Sequence, residues 1–283
     1  ARFVPGHYSR NAQQDQEGAV PKKIRFPVLD VHQWLRCWPG IVLCIKKKDM
    51  NTIEKFLEGK KEAWFKEWFD TSYYHQLYAD RNETEAAGFV DELMAELQPA
   101  PGAVMLDLGC GAGRHSKQLA LHGYDVTGLD LSQSSINAAK QLRTPGLQFY
   151  RHDMRMPFGN GRFHYVFNFF TSFGYFKSGL ENNRVINNIS MSLKEGGTVV
   201  IDYLNVKYAD DHCRGNEKKE IDGIVYHITR WNDATHFYKN IAVDKYEYTE
   251  QVEKLRLDDF DILFKKNGLR LKKVFGDYKL GDY

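Results

Sequence analysis

A chain of 283 residues, 42% of them hydrophobic, is long enough for one large domain or two small ones. Its formal net charge of +2 gives no global argument for a nucleic-acid partner, and no apolar run approaches membrane-spanning length. Cys37, Cys44, Cys110 and Cys213 form neither a C-x-x-C pair nor a disulfide-framework spacing, and residues 6–17 are too polar for a signal peptide. These features predict reduced thiols and a cytoplasmic setting.

Residues 1–30 mix Pro, Gly, Gln, Arg and Lys without a sustained period, a composition that favours disorder. Trp34, Leu35, Trp38 and Ile41 to Ile45 form a brief apolar patch, ended by Lys46-Lys47-Lys48-Asp49. A regular pattern begins only at Met50. The expected organisation is an extension over residues 1–49 outside the fold, with Met50 as the natural start, and one domain over residues 50–283; the opposing reading is an N-terminal arm that docks on the domain.

Asn51 to Phe69 predicts a helix with Ile53, Phe56, Leu57, Trp64, Phe65 and Trp68 on or near one face. Asp70-Thr71-Ser72 breaks it. After Tyr73 to Arg81, the polar stretch Asn82 to Glu85 caps a second helix, whose core face is Phe89, Val90, Leu93, Met94 and Leu97. Pro99 and Pro101 end that helix.

The stretch from Val104 to His115 organises the chain. Val104 to Leu108 is a short apolar run that suits a strand covered on both faces. Gly109, Gly111 and Gly113 follow, with Cys110 and Ala112 between them. Glycines at alternate positions let the backbone turn sharply and approach a ligand without Cβ contacts. The helix from Arg114 presents free N–H groups and a positive dipole end. Two ligand classes compete for such a turn. The dinucleotide fingerprint has its third glycine five positions after the first; here it comes four positions after, and Asp107 precedes the first glycine by two.

Further on, Asp125 to Asp130 predicts a strand ending in an acid, with Leu131 next and Ser132 as N-cap of a helix from Ser134. Leu147 to Tyr150 predicts a third strand, followed by Arg151-His152-Asp153-Met154. Phe163 to Phe170 predicts a fourth, Leu180 to Leu193 a helix, and Thr198 to Tyr203 a fifth strand after Gly196-Gly197. Strands alternating with helices predict a doubly wound, Rossmann-like, mostly parallel sheet with helices on both faces. Right-handed crossovers gather the strand ends on one edge, where ligands bind. Asp107, Asp130 and Asp153 then share that edge with the glycine turn.

From about Tyr74 to Asn205, this pattern resembles the class I methyltransferases that use S-adenosylmethionine (SAM), small-molecule type. The resemblance rests on acid-x-Gly-x-Gly-x-Gly at Asp107 to Gly113, on Asp130 and Asp153, and on Leu193-Lys194-Glu195-Gly196-Gly197. It implies SAM as cofactor and S-adenosylhomocysteine as product. It implies that Asp107 and Gly109, Cys110, Gly111 and Gly113 meet the methionine tail. Asp130, beside Leu131, would bind the ribose. Asp153 and the backbone of Met154 would meet the adenine, Phe169 the amino-acid tail through its backbone, and Tyr74 the SAM carboxylate.

In residues 206–256 the sequence predicts an inserted β lid: a hairpin of Gly223 to Trp231 and His236 to Glu250, with Tyr226, Trp231, Phe237, Tyr238, Tyr246 and Tyr248 lining or backing it. Leu257 to Asn267 predicts a helix closed by Gly268, and Leu269 to Phe275 a sixth strand. The family's antiparallel seventh strand finds too little chain after Tyr278, so the resemblance predicts a truncated C-terminus with a gap beside the fifth strand.

The expected reaction is methyl transfer to an N or O atom of a small molecule, with His75, His227 and His236 as candidate bases. The Asn-Pro-Pro-Tyr motif of amide and adenine methyltransferases is absent at Asn168-Phe169-Phe170-Thr171, and no metal cluster or Pro-Cys nucleophile is present. Alternatives are an RNA-directed methyltransferase using Arg256, Lys265, Lys266, Arg270, Lys272 and Lys273, and a SAM-binding protein without catalysis. No membrane partner is expected, and the expected state is monomer or homodimer.

Overall fold

The structure is a computed structural model that describes residues 41–47, 64–79, 83–176 and 178–283. In chain order its elements begin with β1 (Ile41–Lys47), α1 (Trp64–Trp68), α2 (Ser72–Leu77), α3 (Glu83–Leu97), β2 (Val104–Leu108) and α4 (Arg114–Leu121). Then come β3 (Asp125–Asp130), α5 (Gln133–Ala139), β4 (Leu147–Arg151), β5 (Phe163–Asn168), α6 (Gly179–Ser192), β6 (Leu193–Tyr203) and α7 (Val206–His212). The chain closes with β7 (Gly215–Ile221), β8 (Ile224–Asn232), β9 (His236–Val243), β10 (Tyr246–Glu253), α8 (Leu257–Lys266) and β11 (Leu269–Phe275).

The main sheet has the order β11-β1-β6-β5-β2-β3-β4, and β2, β3, β4, β5 and β6 pair in parallel. Apolar residues on consecutive positions of one strand serve opposite faces, because side chains alternate across a sheet. Met105, Phe167 and Val200 pack with Phe89, Val90, Leu93 and Met94 of α3 and Leu119 of α4. Their neighbours Leu106, Val166, Val199 and Ile201 pack with Ile186 and Ile189 of α6 and Phe260 and Phe264 of α8. Fully burying one such side chain stabilises by about 1.5–3 kcal/mol before conformational entropy is charged against it.

The main sheet therefore has seven strands, and the expected gap beside the fifth parallel strand, β6, is absent. β1 fills that position. It runs antiparallel to both β6 and β11, with Cys44 opposite Val200 on one side and Lys273 on the other. A short apolar segment between two strands can satisfy their backbone groups from anywhere in the chain. The strand comes from a segment N-terminal to the parallel strands and not from the chain after β11. The segment 41–47 thus belongs to the sheet, although it was expected to lie in an extension outside the fold. Residues 1–40 and most of the helix expected from Asn51 lie outside the described residues; its last turn is α1.

A second sheet, β10-β9-β8-β7, is an antiparallel meander. Where the sequence predicts a two-stranded hairpin, four strands form. Asp244, at φ +50, turns the chain within the stretch from His236 to Glu250 and so splits it into β9 and β10. β7 was not anticipated, since Gly215–Ile221 carries little apolar patterning. The inner face of this sheet, Tyr226, Ile228, Ile241 and Val243, packs on Trp68 and Leu77. Hence α1 and α2 lie between the second sheet and the edge where the parallel strands end. Among the described residues, no helix is long and apolar enough to cross a membrane.

Candidate active site

The C-terminal ends of β2, β3, β4 and β5 open into a cavity of about 610 Å³. Of the residues singled out from sequence, Tyr74, Gly109, Cys110, Gly111, Asp130, Leu131, Asp153, Met154 and Phe169 line it. Asp107 and Gly113 are not on its wall.

Asp107 is fully buried behind the turn, where it accepts a hydrogen bond from Ser116 Oγ of α4. Burial raises its pKa to about 7. The acid expected to meet the methionine tail thus ties the turn to the helix instead. Gly113 is the N-cap of α4 at φ +85, and a Cβ there would stand 2.5 Å from the ring of Phe149. Its role is close packing. Gly109 and Gly111 also have positive φ, but the space where a Cβ of Gly111 would point is open.

Asp130 ends β3 and faces the cavity. Its Oδ2 accepts from Gly111 N at 2.8 Å, and its Oδ1 accepts from Ser132 N at 2.8 Å. Burial, the largest influence, pushes its pKa up. The two backbone donors hold the carboxylate in one orientation, and each oxygen keeps acceptor capacity for a ligand hydroxyl. Asp153 is oriented differently. Arg155 grips it in a bidentate pair, with Nη2 to Oδ2 at 2.7 Å and Nε to Oδ1 at 3.0 Å. The same guanidinium donates to Glu181 of α6 and lies over the rings of Phe65 and Phe176, 5.5 Å from each centroid. Arg155 was not anticipated, because nothing in local sequence marks a partner across three elements.

The end of β5 is strained. Phe170 and Thr171 have φ of +61 and +44, in the left-handed region that side chains disfavour. The strand therefore stops at Asn168, short of the expected Phe170. Asp202 of β6 holds the turn, since its Oδ2 accepts from Phe170 N at 2.8 Å and its backbone oxygen from Thr171 N at 3.1 Å. Such a conformation costs of order 1–3 kcal/mol per residue and persists only where neighbours fix it. It sets Phe169, Phe170, Thr171 and Ser172 along the cavity wall.

A polar clamp brings α2 to this edge. Asp70 Oδ1 accepts from Ser132 Oγ and Ser134 N, each at 2.8 Å, and His75 Nε2 lies 3.0 Å from Ser134 Oγ. His75 lines the cavity, and burial lowers its pKa. The other two candidate bases are elsewhere: His227 is exposed on β8, and His236 Nδ1 meets Thr235 Oγ1 at 2.9 Å.

The aromatic wall differs from the one expected. Tyr226, Trp231, Phe237, Tyr238, Tyr246 and Tyr248 do not line the cavity. Tyr226 and Tyr248 pack behind it, on α2 and on Trp68. Trp231 stacks on Tyr238 at 5.3 Å and is exposed. The wall consists of Phe65, Phe69, Tyr74, Tyr78, Tyr175 and Phe176, with Glu250 and Val252 of β10 beside them. Sequence reasoning missed Tyr78, Tyr175 and Glu250, because the cavity closes only when the second sheet docks on α1 and α2.

Residues 105–197 match the family model described as a methyltransferase domain. The matched segment is thus similar to a methyltransferase domain, and the fold around it is shared with solved SAM-dependent methyltransferases. Among its relatives is a dTDP-3-amino-3,4,6-trideoxy-alpha-D-glucopyranose N,N-dimethyltransferase from Streptomyces venezuelae. It is 31% identical over 132 residues, 46% of this chain and 54% of that protein. A ubiquinone biosynthesis O-methyltransferase from Roseobacter denitrificans is 33% identical over 111 residues, 36% of this chain and 45% of that protein. The chain thus spans about half the length of these two curated relatives. Among solved structures, a SAM-dependent methyltransferase from Clostridium acetobutylicum superposes with a TM-score of 0.63 at 18% identity, covering 75% of this chain and 90% of that one.

Proposed function

We propose that this chain binds SAM in the cavity at the strand ends and transfers its methyl group to an N or O atom of a small molecule, leaving S-adenosylhomocysteine. The observation that carries this reading is Asp130. Its carboxylate lines the cavity at the tip of the strand beside the glycine turn and is oriented by Gly111 N and Ser132 N. A carboxylate so held suits a pair of ribose hydroxyls. Asp153 and Met154 line the same cavity, where the adenine would extend, and Phe169 and Phe170, at the turn after β5, line it where the amino-acid tail would lie. Tyr74 lines the same cavity.

SAM supplies a methyl group already activated by its sulfonium. The protein has to align the acceptor with that carbon and keep water out. The wall of Phe65, Phe69, Tyr74, Tyr78, Tyr175 and Phe176 serves both ends. The two curated relatives are an N- and an O-methyltransferase, which supports a small acceptor and leaves the receiving atom open. The buried cysteines Cys44, Cys110 and Cys213, which carry no C-x-x-C or disulfide-framework spacing, are in keeping with a reducing, cytoplasmic setting.

Isothermal titration with SAM and, in parallel, with NAD tests the cofactor assignment. We expect saturable binding of SAM and none of NAD at the same concentration. Binding of NAD in place of SAM would overturn the reading.

A further inference from the structure

The second sheet places a charged row where a sheet normally buries apolar side chains. On its inner face Arg230, Lys239 and Glu250 stand directly opposite one another across β8, β9 and β10. Lys239 is only 2% exposed and Glu250 only 12%. Burying an ion pair costs several kcal/mol of desolvation per ion, and well-packed apolar residues often serve stability better. Fold stability alone therefore gives no reason for these residues.

Glu250 has a defined setting. Its Oε1 accepts from Trp68 Nε1 at 2.7 Å and from the Tyr78 hydroxyl at 2.7 Å. Lys239 Nζ stands 3.7 Å from Oε2 and donates to the Tyr78 oxygen at 2.5 Å. Glu250 lines the cavity that also contains Asp130 and Asp153, whereas Lys239 is not on its wall. The ammonium thus backs the carboxylate, and burial lowers the Lys239 pKa to about 8. Aromatic rings line the same cavity as the carboxylate. Tyr74 and Tyr78 have centroids 4.8 Å apart, Phe69 and Tyr74 4.9 Å, and Phe69 and Tyr175 5.4 Å. Ring faces and a fixed carboxylate together are the chemistry that recognises an alkylammonium.

We infer that Glu250 is the residue that receives the methyl acceptor, and that the acceptor is an amine held as its ammonium between Glu250 and the rings of Tyr74, Tyr78 and Tyr175. This inference rests on the methyl-transfer reading above. Glu250 takes one proton from the ammonium. The freed nitrogen lone pair forms the new C–N bond to the methyl carbon, the C–S bond breaks, and its electrons remain on sulfur as the neutral thioether. Trp68, Tyr78 and Lys239 position the carboxylate.

The test needs no knowledge of the natural acceptor. Sinefungin resembles S-adenosylhomocysteine but carries a primary ammonium where SAM carries its methyl group. Dissociation constants for sinefungin and S-adenosylhomocysteine are measured for the parent, Glu250→Gln and Glu250→Asp. The parent should bind sinefungin at least tenfold more tightly than S-adenosylhomocysteine. Glu250→Gln should reduce that preference to threefold or less while S-adenosylhomocysteine binds within twofold of the parent. Glu250→Asp, which keeps the charge, should restore part of it. A parent without the preference overturns the inference before any variant is made. So does a Glu250→Gln protein that keeps the full preference. Failure of the parent to bind SAM or S-adenosylhomocysteine at all removes the methyl-transfer reading instead, which is a distinguishable result.

Discussion

The backbone N–H of Gly111 donates to Oδ2 of Asp130 across 2.8 Å, so the turn after β2 and the tip of β3 act as one unit. Loss of the carboxylate therefore removes the proposed ribose contact and the anchor of the turn together. Hydrogen bonds to a charged group are worth about 1.5–3 kcal/mol each. Asp130→Ala should weaken SAM binding at least a hundredfold by isothermal titration, and Asp130→Asn by less. Parent-like affinity in the Ala variant would remove Asp130 from the site.

The glycines of the turn separate into two roles. Gly113→Ala meets both a positive φ and a contact at 2.5 Å with Phe149, so it should cost about 2–4 kcal/mol in urea unfolding. Gly111→Ala meets a positive φ of +54 and no contact within 4 Å, so it should cost only about 1 kcal/mol. Equal losses in the two variants would contradict this division.

Asp107 makes stability depend on pH. Its folded pKa of about 7 lies above its ordinary 3.8, so between these values the folded state binds more protons than the unfolded one. Its contribution is therefore fully present at low pH and is lost as pH rises from about 4 to about 7. Asp130, also raised by burial, acts with the same sign. The discriminating quantity is the difference between parent and Asp107→Asn in urea midpoint across this window. The variant should show the flatter profile, and parallel profiles would argue against the shift.

β1 supplies ladder bonds to strands on both sides, with Cys44 opposite Val200 and Lys273. Proline cannot donate in a central strand. Cys44→Pro should therefore destabilise the protein by about 3 kcal/mol or more and lower its melting temperature by several degrees in calorimetry. An unchanged melting temperature would mean that this strand contributes little.

The sequence carried the parallel half of the fold and the outline of its edge, and the reasons are local. Val104 to Leu108, Asp125 to Asp130 and Leu269 to Phe275 are strands whose type follows from their own patterning. Ser132 as N-cap and Gly268 after α8 are short-range signals of the same kind. What stayed hidden depends on pairing between distant segments. β1 is recognisable as an apolar patch, but its slot between β6 and β11 is set by the sheet as a whole. Asp107 sits in the expected motif, yet its burial against Ser116 depends on how α4 docks. Glu250 looked like the end of a long strand. Only the turn at Asp244 and the packing of β10 on Trp68 place it at the cavity. The buried Lys239 did leave a trace, as a charge at an inward position of the alternating strand β9.

The central claim is that the edge formed by β2, β3, β4 and β5 is a SAM site. A crystal structure of the protein soaked or grown with S-adenosylhomocysteine tests it most directly. The predicted result places the ribose hydroxyls on the Asp130 carboxylate, the adenine against Asp153 and Met154, and the amino-acid tail between the glycine turn and Phe169. Ligand density elsewhere, or a ribose without contact to Asp130, would contradict it.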